Sequence, residues 1–95
     1  MPEARRAGDN NIYIGKKPVM AYVLAAITQF SGDAKEIHIK ARGRSISTAV
    51  DVAEVVKNRF VQGLQNSISI GTEEVKDADN RLLKVSTIDI TLAKA

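Results

Sequence analysis

The chain reads as an α+β domain: β-α-β-α-β-β, a four-stranded mixed sheet with two helices on one face and a protruding β-hairpin arm. Three patterns predict it. Twice, a short strand-like run passes through a basic turn, Gly15-Lys16-Lys17-Pro18 or Lys40-Ala41-Arg42-Gly43-Arg44, into a helix-like run. The connections between the first three strands are long enough for right-handed parallel crossovers. The last third carries two alternating apolar runs that mirror each other and read as an antiparallel hairpin.

Residues 1–10 are polar and without periodicity, and read as a flexible tail; Arg5 and Arg6 belong to it. Residues 11–95 are assigned to one domain, since 95 residues at 44% apolar content suffice for a single core. A domain of this size buries only part of its surface, so oligomerisation would help it. Asn11-Ile12-Tyr13-Ile14 is the first strand. Pro18 suits the first turn of a helix, where its missing N–H costs nothing. Val19 to Phe30 is apolar on nearly every face, with Gly32 as its stop, so this helix is expected to be covered on more than one side.

Glu36-Ile37-His38-Ile39-Lys40 alternates with period two and points Ile37 and Ile39 inward. A second helix is expected from Ser45 or Ser47 to about Phe60. Its core stripe is read as Ile46, Ala49, Val50, Ala53, Val56 and Phe60, with Asp51, Glu54 and Asn58 on the wet side. Val52 and Val55 fall off that stripe and are exposed or an intersubunit contact. In the hairpin, pairing residues whose numbers sum to 158 sets Ile68 opposite Ile90, Ile70 opposite Ile88 and Val75 opposite Leu83. Ala78-Asp79-Asn80 is then the loop, with Asn80 left-handed. Apolar parity flips beyond Gly71. The half near Ile70 is therefore expected to pack on the core, while about eight residues leave it and project on the order of 25 Å. A bulge at Gly71 is the alternative.

Composition narrows the function classes. No cysteine is present, which excludes disulfides and thiolate chemistry; with His38 the only histidine, a zinc-type site has nothing to build on. The acidic residues form no evident catalytic pair, the serines lack a nearby general base, and Gly15-Lys16-Lys17 lacks the rest of a nucleotide-binding Gly-rich loop. No enzyme and no cofactor is expected. No apolar run approaches the roughly 20 residues of a membrane span, and no secretory leader is evident, so the expected setting is cytoplasmic.

The net charge of +3 and a pI of about 9.4 give a mild basic bias. Distribution matters more. Both basic turns fall at helix starts, where backbone N–H groups already favour anions, and two parallel β-α units bring them to one sheet edge. Only Tyr13, Tyr22, Phe30 and Phe60 are aromatic, three of them in helices or cores, so base stacking is not expected to dominate. Cations on phosphates remain, with binding that weakens steeply in salt.

Several motifs then resemble one family. They are Ile14-Gly15-Lys16-Lys17-Pro18-Val19-Met20, Ile39-Lys40-Ala41-Arg42-Gly43-Arg44-Ser45-Ile46-Ser47, Asn58-Arg59-Phe60 and Val85-Ser86-Thr87-Ile88. In this order, over about residues 11–93, they are similar to the Alba family of archaeal chromatin proteins, whose fold resembles the C-terminal domain of bacterial translation initiation factor three. The resemblance implies a homodimer that coats and compacts double-stranded DNA without sequence preference, associates with the chromosome or nucleoid, and also binds RNA. It assigns backbone contacts to Lys16, Lys17, Arg42 and Arg44, with Lys40 beside them, and implies an arm reaching toward the minor groove. It also implies acetylation of Lys16, hence a deacetylase and an acetyltransferase as partners, and dimer–dimer contacts at Arg59 and Phe60. The arm departs from the family's basic pattern. Lys76, Arg81 and Lys84 face Glu73, Glu74, Asp77 and Asp79, a net of −1, so the body is expected to supply most of the affinity. Alternatives are a mainly RNA-directed role, as RNA chaperone or ribonucleoprotein subunit, and a protein-interaction module using the first helix and Val52/Val55.

Overall fold

The computed structural model describes residues 10–94. The expected tail, with Arg5 and Arg6, lies outside them except for Asn10, whose carbonyl already accepts a hydrogen bond from the His38 N–H at 2.9 Å. Four strands, β1 (Asn11–Tyr13), β2 (Glu36–Arg42), β3 (Gln65–Lys76) and β4 (Leu82–Ala93), form one sheet in the order β1-β2-β4-β3. β1 runs parallel to β2, and β4 is antiparallel to both of its neighbours. Helices α1 (Val19–Ser31) and α2 (Ile46–Val55) cover one face.

Pro18 is the residue just before α1, extended at ψ 153°, and its carbonyl accepts from the Ala21 N–H at 3.0 Å. The Gly32 N–H closes the other end on the Thr28 and Gln29 carbonyls. Alternation along the strands sends Ile12, Ile37, Ile39, Ala41, Ile88, Ile90 and Leu92 under the helices. They meet Tyr22, Val23, Ala26 and Phe30 from α1. α1 is not covered all round within the chain, since Met20 and Leu24 stay exposed.

The stripe of α2 differs from the expected one. Ala49, Val52, Ala53 and Val56 are buried, a clean three-and-four spacing, whereas Val50 lies about 100° round from Ala49 and is exposed. Val52 is a core residue at 0% exposure, so no contact with another molecule can use it; Val55 packs half-buried against the core. The helix ends in a π turn over Val56–Phe60, closed by the Val61 N–H on the Val56 carbonyl at 2.9 Å. That wider turn shifts the phase and carries Phe60 out of the stripe, leaving it 49% exposed.

The hairpin register is the expected one throughout: every pair from Gln65↔Ala93 to Lys76↔Leu82 sums to 158, without a bulge at Gly71. Asn80 takes the left-handed turn position at φ 66°. Ile68 and Ile70 do not pack on the core; Ile70 is 79% exposed. Strand order is the cause. β3 is the outer strand, and the helices stop over β4. β4 also keeps β2 as a neighbour as far as Thr87↔Arg42, so only the five pairs from Thr72↔Ser86 outward stand free. They project about 17 Å before the loop, shorter than the expected arm.

Candidate nucleic-acid interface

Parallel pairing of β1 with β2 sets Tyr13 beside Lys40, and the Ile14 N–H extends the ladder onto the Lys40 carbonyl at 2.9 Å. The turns that follow these strands therefore leave the same sheet edge. Gly43, at φ +59°, makes the second turn without steric cost; a Cβ there would sit 3.5 Å from a methyl of Val85, at the arm's root. Lys16, Lys17, Arg42 and Arg44 are all exposed.

The first turn is held from below by a residue the sequence reading left out. Tyr22, buried on α1, extends its hydroxyl to accept hydrogen bonds from the Gly15 N–H at 2.8 Å and the Lys17 N–H at 3.0 Å. This anchors the backbone on both sides of Lys16. It also occupies two N–H groups, so the lysine side chains carry more of any phosphate contact than the backbone does. A tyrosine on a buried helical face is the available signal, because its hydroxyl needs a polar partner there.

The cations divide by location. Among the described residues, Lys16, Lys17 and Arg44 have no carboxylate within ion-pair distance. Arg42 is paired: its Nη1 lies 2.8 Å from Glu73 Oε1, across the intervening β4, with both side chains more than half exposed. Lys40 Nζ lies 3.7 Å from Asp89 Oδ2. His38, on the same outer face, contacts Glu36 at 3.1 Å, Asp89 at 3.3 Å and the Thr91 hydroxyl at 2.9 Å. No group of three or more His, Cys, Asp or Glu side chains suited to a metal ion occurs among the described residues.

On the arm, Lys76 and Lys84 share a face, and Glu74 lies directly opposite Lys84. Asp77 shapes the tip: its Oδ1 accepts from the Asp79 and Arg81 N–H groups at 2.9 and 3.0 Å. Arg81 lies 4.0 Å from Asp79, a weak exposed pair. Two of the four acids are thus committed, Glu73 to the body and Asp77 to the turn. Arg59 and Phe60 project together from the π turn, away from both basic turns in sequence and exposed. No helix among the described residues is long and apolar enough to cross a membrane.

Comparison with known proteins places this geometry in a family. The Alba family model matches residues 10–72. The chain is 52% identical over 95 residues to a Methanocella arvoryzae protein named DNA/RNA-binding protein Alba, covering 99% of this chain and 94% of that one. It is 51% identical over 87 residues to DNA/RNA-binding protein Alba 1 of Archaeoglobus fulgidus, covering 90% and 97%. The structure of Alba from Thermoplasma volcanium superposes with a TM-score of 0.85 at 45% identity, over 90% of this chain and all of that one. An Alba structure from Trypanosoma brucei, at 22% identity and a TM-score of 0.66 over 92% and 71% of the two chains, shares the fold. Two helices on a four-stranded mixed sheet, two basic turns on one edge and the matches in sequence agree: the chain belongs to the Alba family.

Proposed function

We propose that this chain is a dimeric, non-sequence-specific nucleic-acid-binding protein that coats and compacts double-stranded DNA as archaeal chromatin and also binds RNA. The observation that carries the proposal is the pair of exposed basic turns on one sheet edge, where Lys16, Lys17 and Arg44 have no competing carboxylate among the described residues. Three point charges on a body, with no array of aromatics, suit phosphates rather than base edges. The names of the Methanocella and Archaeoglobus relatives support both polymers as targets. Arg42 and Lys40 join when phosphate displaces Glu73 and Asp89, and Lys76, Arg81 and Lys84 add a weaker contribution from the arm.

A homodimer is supported by the apolar surface a single chain leaves exposed: Met20 and Leu24 on α1, Val50 on α2, and Ile68 and Ile70 on β3. Exposed Phe60 with Arg59 suits contacts between dimers along DNA. Lys16 sits in the exposed turn held by Tyr22, which makes it accessible to an acetyltransferase and a deacetylase; acetylation would remove one phosphate-facing charge. The setting consistent with these partners is the cytoplasm, on the chromosome.

Changing Lys16 and Lys17 together to Glu tests the body assignment. Duplex affinity should fall strongly, and the slope of log K against log salt should flatten by about 1.8, at roughly 0.9 per lost phosphate contact. Unchanged affinity would overturn the assignment. A mainly RNA-directed role is the second reading, favoured by the exposed Tyr13 on the open sheet face. Competition between duplex DNA and structured RNA at matched salt separates the two.

A further inference from the structure

The face of the sheet opposite the helices carries a groove bordered by the strand cations Lys40 and Arg42 but not by Lys16, Lys17 or Arg44. Register sets Tyr13, Lys40, Asp89 and Ser69 side by side in one row across all four strands, about 14 Å wide. The next row is Arg42, Thr87 and Gly71. Gly71 has no side chain to fill that row, and a Cβ there would come within 3.3 Å of the Thr87 hydroxyl. The Arg42–Glu73 pair crosses β4 just beyond and forms the rim. The resulting cavity, about 430 Å³, is lined by these residues. At its β1 end stands Tyr13, 66% exposed, the one aromatic residue on this face among those described.

We infer that this groove is a second, single-stranded site, in which the base of an unpaired RNA nucleotide stacks on Tyr13. The inference rests on the nucleic-acid reading above and extends it from the edge turns to the sheet face, with Lys40 shared between the two. Lys40, adjacent to Tyr13 in register, takes the phosphate, and Ser69 with the Asp89 carboxylate supplies partners for the ribose hydroxyl. A duplex does not fit this chemistry, because its bases present no free face to a tyrosine. Tyr13 also lies three residues before Lys16, so a strand bound along the basic edge reaches the groove without leaving the protein.

The test uses the full chain with Tyr13→Ala and Tyr13→Phe, titrated against a 12-nucleotide single-stranded RNA and against duplex DNA. Circular dichroism confirms that both variants are folded, as expected for an exposed side chain. Tyr13→Ala should weaken RNA binding by about tenfold, the scale of one lost stacking contact, and leave duplex affinity within about twofold. Tyr13→Phe should retain RNA binding, and 2-aminopurine placed in the RNA should lose its stacking quench only in Tyr13→Ala. Equal losses for both polymers, or no loss for RNA, would overturn the second site while leaving the basic turns standing. If the unsubstituted protein bound neither polymer, the parent reading would fail instead, which is a distinct outcome.

Discussion

Glu73→Gln should make the protein bind duplex DNA more tightly, although it removes an ion pair. In the free protein Arg42 is held 2.8 Å from Glu73, so a phosphate must displace that carboxylate before it gains the guanidinium. Both side chains are more than half exposed, which keeps the pair near the usual 0.2–1 kcal/mol (roughly) for surface bridges. Releasing it is therefore worth about 1.5- to 5-fold in affinity. The salt slope should steepen by up to about 0.9, because one more cation then exchanges counterions for a phosphate. Stability should fall by no more than about 1 kcal/mol. Fluorescence anisotropy with a short duplex, from about 50 to 200 mM salt, measures both affinity and slope.

A control separates release of Arg42 from simple removal of an arm charge. In Arg42→Ala the further change Glu73→Gln should give no gain in slope. If the gain survived in that background, the ion pair would not be what restrains Arg42. If Glu73→Gln left affinity and slope unchanged in the otherwise unaltered chain, the competition between Glu73 and phosphate would be refuted outright.

Three further outcomes are expected. Tyr22→Phe leaves the Gly15 and Lys17 N–H groups without their acceptor; urea unfolding should show a loss of about 1–2 kcal/mol, with weaker duplex binding, and an unchanged variant would remove the anchor role. Val52→Ala should cost about 2 kcal/mol by the same assay, against a small effect for Val55→Ala, and the opposite ranking would contradict the buried stripe. Hydrogen bonds from Lys57 and Asn58, with the nearby Lys57 charge, hold the Glu54 carboxyl below the usual glutamate range. A lowered folded-state value means this contribution is present above the unfolded carboxyl value and lost as pH falls through the folded one. Glu54→Gln should therefore flatten the acid limb of stability as pH falls below the ordinary glutamate range, and an identical limb would count against it.

What the sequence disclosed follows from which signals are local. The hairpin register is legible because two apolar alternations mirror each other about Asp79, and the next residue, Asn80, tolerates the left-handed position the turn needs. The Lys16-Lys17 and Arg42-Arg44 turns were legible for the same reason. Phe60 falls out of the stripe because the π turn changes the helical period, and nothing in Val56–Phe60 announces it. Val50 and Val52 lie on either side of the Ala49–Ala53 line, and only the packing of α2 on the sheet decides that Val52 is the buried one. The exposure of Ile68 and Ile70 depends on β3 lying outside β4, a non-local fact that alternation cannot convey. Tyr22 stands in the sequence only as one of four aromatic residues; its anchoring role depends on the fold that brings the Gly15 and Lys17 N–H groups over its hydroxyl.

Strand order also explains why the body cations are not equivalent. Lys40 and Arg42 lie on the outer face of β2, where the neighbouring strands present Asp89 and Glu73 as ion-pair partners. Lys16, Lys17 and Arg44 sit on turns beyond the ends of the strands, where no cross-strand neighbour exists to supply a carboxylate. On the proposed reading, phosphate would meet the turn cations first, with no competing carboxylate among the described residues, and would recruit the strand cations by exchanging one anion for another. The arm would come last, because Glu74 stands opposite Lys84 and Asp79 lies near Arg81. A surface ordered in this way would, on the proposed reading, grip a polyanion through its edge turns and leave the sheet face to respond to what that polyanion presents next.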